Sequence, residues 1–245
     1  MRNILLTIMY DGTEYFGWQL QPDHPTIARE IMKALERIIG KAPTLYVSGR
    51  TDAGVHALGQ RANFYTDSSI DIFKLKEALN AMLPSDIAIT QAEEVDIDFN
   101  ARSSAVNKTY MYLIYNMRYL SPFFVNRAWH IKHNLDMERM RDCAEAIKGE
   151  HDFKAFMASG SIVQNTVRTV YSLDIEKQEN LIRITVTGNG FLYNMVRIIA
   201  GTLVYAGSGK LNRSDVEQII LSKDRTKGAK TAPACGLYLK GVNYK

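Results

Sequence analysis

With 245 residues, 46% of them hydrophobic, the chain is long enough for one large or two moderate cores, which excludes a disordered segment. Its two cysteines, Cys143 and Cys235, belong to no Cys-x-x-Cys pair, so it is no disulfide-stapled scaffold and its thiols are expected to be reduced. A net charge of +4 permits a nucleic-acid partner without requiring one. Met1–Leu6 is too short and polar for a signal peptide, and no apolar span approaches the ~20 residues of a membrane helix, so a cytoplasmic protein is expected.

The first predicted strand runs from Ile4 to Tyr10, followed by a turn-rich Asp11-Gly12-Thr13 and an aromatic cluster of Tyr15, Phe16 and Trp18. A helix then starts with Thr26 as N-cap. Ile27, Ile31, Leu35, Ile38 and Ile39 share one face, and Gly40 stands just past the end. On the same helix Arg29, Lys33 and Arg37 recur every four residues as a basic stripe, which fits either a solvated face or a phosphate contact.

Leu45-Tyr46-Val47 reads as a short strand, and Gly49-Arg50-Thr51-Asp52-Ala53-Gly54-Val55-His56-Ala57 as a tight loop at its end. The loop presents one carboxylate, Asp52, with a guanidinium two residues before it and an imidazole four after. As bare residue types this is ordinary turn chemistry as well as a possible catalytic placement. Gln60–Thr66 alternates as a strand, 71–82 reads as a helix stopping before Pro84, and 87–95 as a strand.

The second half repeats the order: strand 108–116, helix 136–148 before Gly149, strands 168–175 and 181–187, helix 191–206 and strand 237–243. The class expected is α+β. Two ferredoxin-like halves, 1–105 and 106–245, would form a mixed, mainly antiparallel sheet with helices on one face and an active-site cleft between the halves.

Within the second half, the 191–206 segment is apolar nearly all round and Arg197 is its one charge, so a carboxylate partner or a cleft is expected for it. A buried pair holding the fold together and a catalytic role both remain open. Strand alternation puts Tyr110 and Tyr112 of Lys108-Thr109-Tyr110-Met111-Tyr112 on one face, either as packing residues or as a stacking platform for a base. Gly188-x-Gly190 lacks the third glycine of a dinucleotide fingerprint, His130-x-x-His133 sits in no zinc pattern, and there is no Walker loop. No cofactor and no metal are expected.

The nine-residue Asp52 string closely resembles the catalytic loop of the tRNA pseudouridine synthase A family. Gly188-Asn189-Gly190-Phe191-Leu192-Tyr193-Asn194-Met195-Val196-Arg197 and the Lys-x-Tyr-x-Tyr string resemble two further motifs. Phe16-Gly17-Trp18-Gln19, Asn80-x-x-Leu83-Pro84-x-Asp86-Ile87, Gly149-x-His151-Asp152-Phe153 and Ala232-Pro233-x-x-Gly236-Leu237 extend the likeness over almost the whole chain.

The resemblance implies that Asp52 is the nucleophile, that Arg197 pairs with it, and that Tyr110 serves the base. It further implies a homodimer acting on the anticodon stem-loop of tRNA at positions 38, 39 and 40. On that reading Arg50 is a candidate to hold the place vacated by a flipped nucleotide, and Arg29, Lys33 and Arg37 track phosphates. The sequence departs from the family pattern at Ala28, where a glutamine is expected, and at Arg61, where an aliphatic strand residue is usual. Two other classes stand beside this reading. A non-catalytic single-stranded RNA module would have no need of Asp52 with Arg197, and a glycosidase would need two acids where this loop offers one.

Overall fold

The computed structural model describes residues 1–160 and 163–244. In chain order its elements are β1 (Arg2–Tyr10), α1 (Ile27–Ile39), β2 (Tyr46–Val47), β3 (His56–Thr66), α2 (Ile72–Met82), β4 (Ile87–Val95), β5 (Ala105–Asn116), β6 (Trp129–Ile131), α3 (Met137–Glu145), β7 (Gly149–Asp152), β8 (Val167–Gln178), β9 (Leu181–Gly188), α4 (Met195–Gly207), α5 (Arg213–Ser222) and β10 (Leu237–Tyr244). Short 3-10 turns stand at Pro122–Phe124, Phe153–Phe156, Arg225–Lys227 and Ala234–Gly236. The fold is α+β, with sheets that are mixed and mainly antiparallel.

The chain folds into two compact units, Met1–Val106 with the last strand from Tyr238, and Asn107–Leu237. This division differs from halves of 1–105 and 106–245 in that last strand. β10 pairs in parallel with β3 at His56 and Ala57, so the chain's end returns to the first unit.

In the first unit β1 is central, antiparallel to β3 on one side and β4 on the other, and β2 lies antiparallel on β3 at Ala62 and Asn63. The order β4-β1-β3-β2 is that of a ferredoxin-like sheet. Ile4, Leu6 and Ile8 of β1, Phe64 of β3, Ile27, Ile31 and Leu35 of α1, and Leu75 and Leu79 of α2 are fully buried. Each such aliphatic side chain contributes roughly 1.5–3 kcal/mol. Ile38 and Ile39, expected on the buried face of α1, are only half-buried, because the helix stops at Gly40 in the left-handed conformation (φ 78°). Asp71 caps α2 by accepting the Lys74 amide.

In the second unit β5, β9, β8 and β7 lie in that order, all antiparallel, and β6 adds to β5 in parallel. Helix α3 packs on α4, on α5 and on β8. Two differences from the sequence reading lie in the helices of this unit. The helix expected over 191–206 starts at Met195, because Asn194 takes a left-handed conformation (φ 59°, ψ 9°) that cannot continue a helix backwards. Helix α5 was not expected, although Asn212 and Asp215 form a reciprocal capping box ahead of buried Val216, Ile219 and Ile220.

Candidate active site

The Asp52 loop leaves β2 and enters β3, and its backbone is fixed from several sides. The Thr51 carbonyl accepts the Trp18 amide at 3.0 Å, the Gly54 amide donates to the Tyr15 carbonyl at 3.2 Å, and the Val55 amide closes a turn onto the Asp52 carbonyl at 3.2 Å. Gly54 needs its positive φ of 73° to make that turn. Two other glycines permit close approach. A Cβ on Gly12 would lie 2.0 Å from the Val55 carbonyl oxygen, and one on Gly17 would lie 2.4 Å from that of Thr51. The expected turn-rich segment and aromatic cluster are therefore the bed on which the loop rests.

Thr51 is buried and its hydroxyl is 2.8 Å from that of Tyr10, whereas Asp52 is half-exposed and Arg50 exposed. The scaffold is rigid below and open above, a placement typical of functional loops. His56, the imidazole four residues on, is buried and plays a structural part. Its Nδ1 accepts the Gly12 amide at 3.0 Å and lies 3.1 Å from an Asp11 carboxylate oxygen, and its ring stacks on Tyr238 with centroids 4.6 Å apart.

In the second unit Tyr110 and Tyr112 divide the two roles open to them. Tyr112 is fully buried, donates its hydroxyl to the Pro233 carbonyl at 2.8 Å, and has its pKa raised chiefly by burial. Tyr110 is half-exposed and meets Phe191 edge to face at 5.2 Å. Phe191 in turn sits against Gly188, where a Cβ would come within 3.2 Å of the ring. Arg197 is half-buried rather than buried. Its Nε donates to the Ala232 carbonyl and its Nη1 to the Asn194 side chain, both at 2.7 Å. The Ala232 amide returns to the Arg197 carbonyl at 3.1 Å, and Gly201 lets Lys230 approach so closely that a Cβ would lie 2.0 Å from its oxygen. The Gly188–Arg197 motif thus sets an aromatic rim and an anchored guanidinium.

A family model described as tRNA pseudouridine synthase matches residues 6–102 and 143–245. The tRNA pseudouridine synthase A of Ruminiclostridium cellulolyticum is 51% identical over 245 residues, covering all of both chains. That of Thermoanaerobacter sp. strain X514 is 48% identical over 244 residues, again with complete coverage of both. The chain belongs to the tRNA pseudouridine synthase family.

Membership makes it an isomerase, and the fold agrees with the class expected. A solved archaeal box H/ACA sRNP Nop10-Cbf5 complex covers 96% of this chain and 45% of its own at 11% identity and a TM-score of 0.35, too low to bear on the reading.

The remaining candidates of the synthase are less uniform. In the α1 stripe, Arg29 donates to the Gln21 carbonyl and Lys33 pairs with Glu30 at 2.9 Å, while Arg37 is exposed with no partner among the described residues. Of the departures, Ala28 is buried with its amide on the Trp18 carbonyl at 3.2 Å. Arg61 pairs with Glu93 at 2.7 Å, reaches Thr7, and lies over the Tyr244 ring. Its unusual charge is therefore balanced within its own sheet. His130 and His133 bond separately to the Met117 carbonyl and the Ser208 hydroxyl.

Sequence reasoning missed the polar side chains behind the loop: Tyr10, Ser48 and Gln60. It also missed Asn194 as a partner of Arg197, although an (i, i+3) pair is a spacing that brings side chains together on a helix.

Proposed function

We propose that this synthase isomerises uridine to pseudouridine at positions 38, 39 and 40 of the tRNA anticodon stem-loop, with Asp52 as nucleophile. The bond from C1′ to N1 breaks, the uracil turns, C1′ bonds to C5, the C5 proton leaves, and N1 regains a proton. No oxidant, reductant or external energy enters the balance. Asp52 is the group that holds one fragment while the base turns. Arg197 supplies positive charge in support of that carboxylate, since enclosing a carboxylate under a base raises its pKa and a cation opposes the rise. Tyr110 stacks on the uracil and its hydroxyl handles the C5 proton. A uridine in a stem has to be flipped out at a cost of a few kcal/mol, and Arg50 fills the vacated place.

The observation that carries the reading is the Asp52 loop itself, whose backbone is tied to Trp18 and Tyr15 and whose Thr51 hydroxyl is tied to that of Tyr10, while the Asp52 and Arg50 side chains stay accessible. A turn residue needs no such support, whereas a nucleophile held to a near-attack geometry does. In further support, Tyr110 is fixed edge-on by Phe191 and Arg197 by two hydrogen bonds. The active form proposed is a homodimer, in which the α1 stripe follows phosphates.

The test is to incubate the protein with unmodified tRNA and map pseudouridine along it. Pseudouridine confined to positions 38–40 is expected. Tight binding with every uridine intact would favour the non-catalytic RNA module, and modification elsewhere would correct the substrate site.

A further inference from the structure

Gln60 is a polar side chain with 0% exposure in the middle of β3, directly beneath the Asp52 loop. A buried amide is tolerated only when its donors and acceptors are satisfied, and here all four are used. Its Oε1 accepts the Ser48 hydroxyl at 2.7 Å and the Arg61 amide at 3.1 Å. Its Nε2 donates to the Gly49 carbonyl at 2.9 Å and, at the outer limit of 3.5 Å, to the Tyr10 hydroxyl. Tyr10 is 3% exposed, and burial raises its pKa to about 12, so its hydroxyl stays protonated and is free to donate to Thr51 at 2.8 Å.

One amide thus grips the loop at Ser48 and Gly49, just before Arg50, and through Tyr10 at Thr51, just before Asp52. An apolar side chain would fill the same space without asking for four partners. What the amide adds is direction, because its bonds to Ser48 and Gly49 fix a hydroxyl and a carbonyl where the chain enters the loop, and those to the Arg61 amide on β3 and the Tyr10 hydroxyl on β1 hold the amide itself in place.

We propose that Gln60 is a positioning residue of the isomerisation, clamping the Asp52 loop through Ser48, Gly49 and the Tyr10–Thr51 hydroxyl pair so that the Asp52 carboxylate meets the uridine in a reactive geometry. The inference rests on the reading of Asp52 as nucleophile. It concerns kcat rather than tRNA affinity, because Gln60 is wholly buried and touches no RNA.

Three variants test it with full-length protein and tRNA, in steady-state and single-turnover assays beside thermal melting. Gln60→Met keeps the volume and removes all four bonds. Gln60→Glu keeps the acceptor side toward Ser48 and loses the donors toward Gly49 and Tyr10. Leu79→Ala, in the core of α2 and fully buried, serves as a control for lost stability alone.

Both Gln60 variants should lose about 10–100-fold in kcat, the scale on which a small misplacement of reacting groups acts. KM for tRNA should stay within about two-fold of wild type. The control should keep its kcat at temperatures where it is folded. Should Gln60→Met fail to fold, Tyr10→Phe still tests the idea, since it keeps the ring and removes only the hydroxyl link, and it should lower kcat with KM unchanged. Gln60 variants with the kcat of the control, or a loss borne wholly by KM, would overturn the inference. A wild-type protein that leaves every uridine intact would instead overturn the reading beneath it.

Discussion

Asparagine at position 52 is nearly isosteric with aspartate but carries no charge and is a far poorer nucleophile. Since phosphate contacts dominate RNA affinity and a carboxylate is not expected to make one, Asp52→Asn should fold and bind tRNA with near wild-type affinity. Its pseudouridine formation should fall below detection, read from a modification map beside a binding curve. Retained turnover would demote Asp52 to a turn residue. Arg197→Met should lose turnover as well, with a destabilisation of about 1.5–3 kcal/mol per charge-assisted hydrogen bond lost to Asn194 and Ala232, measured by denaturant unfolding. The sequence made Arg197 visible as the single charge in an apolar run. It did not make visible the Ala232 carbonyl, whose approach depends on a tertiary contact between Gly201 and residue 230.

Among the elements, α1 and β5 each hold a pattern that periodicity alone leaves ambiguous. The α1 stripe was legible as three cations, yet two of them already serve neighbours, Arg29 the Gln21 carbonyl and Lys33 Glu30. Arg37 is then the member best placed to meet a phosphate. Arg37→Gln alone should reduce the slope of log affinity against log salt by roughly 0.7–0.9, the increment of one phosphate contact, and neutralising Arg29 and Lys33 as well should add less than twice that. An unchanged slope in the triple variant would return the stripe to a solvated face.

On β5 the period of two put Tyr110 and Tyr112 on one face but said nothing of depth, which is set by partners far along the chain, Phe191 for one and Pro233 for the other. Tyr110→Phe should keep tRNA affinity and impair turnover, and equal loss of both would assign the hydroxyl to positioning instead. Short elements such as β6, β7 and the 3-10 turns escaped sequence reading because three or four residues show too little periodicity to read.

At the scale of the whole molecule, the alternation of strands and helices revealed the α+β class, but not the return of β10 to the first unit. That pairing is non-local, joining Tyr238 and Leu239 to His56 and Ala57, and no local pattern encodes it. The fold also holds several phenols that burial keeps protonated. Burial is the leading cause of a raised pKa at Tyr10 and Tyr244, both pushed to about 12, and at Tyr15 and Tyr112, pushed higher still.

The sign of the linkage follows from these directions. Between pH 10, where an unfolded tyrosine titrates, and pH 12, the unfolded chain has released protons that the folded chain retains, so stability falls as pH rises. Below pH 10 both states are protonated and the contribution is fully present. For Tyr10, which is buried, the loss amounts to up to about 1.4 kcal/mol for each pH unit in that window. The tyrosine contribution to the melting temperature should therefore hold steady from neutrality to about pH 10 and then drop steeply. Tyr10→Phe should lower the neutral plateau, because it leaves the Thr51 hydroxyl and the Gln60 amide short of a partner, and should soften the alkaline drop below it. Equally steep alkaline drops for the two proteins would show that Tyr10 is not the group whose ionisation opens the fold.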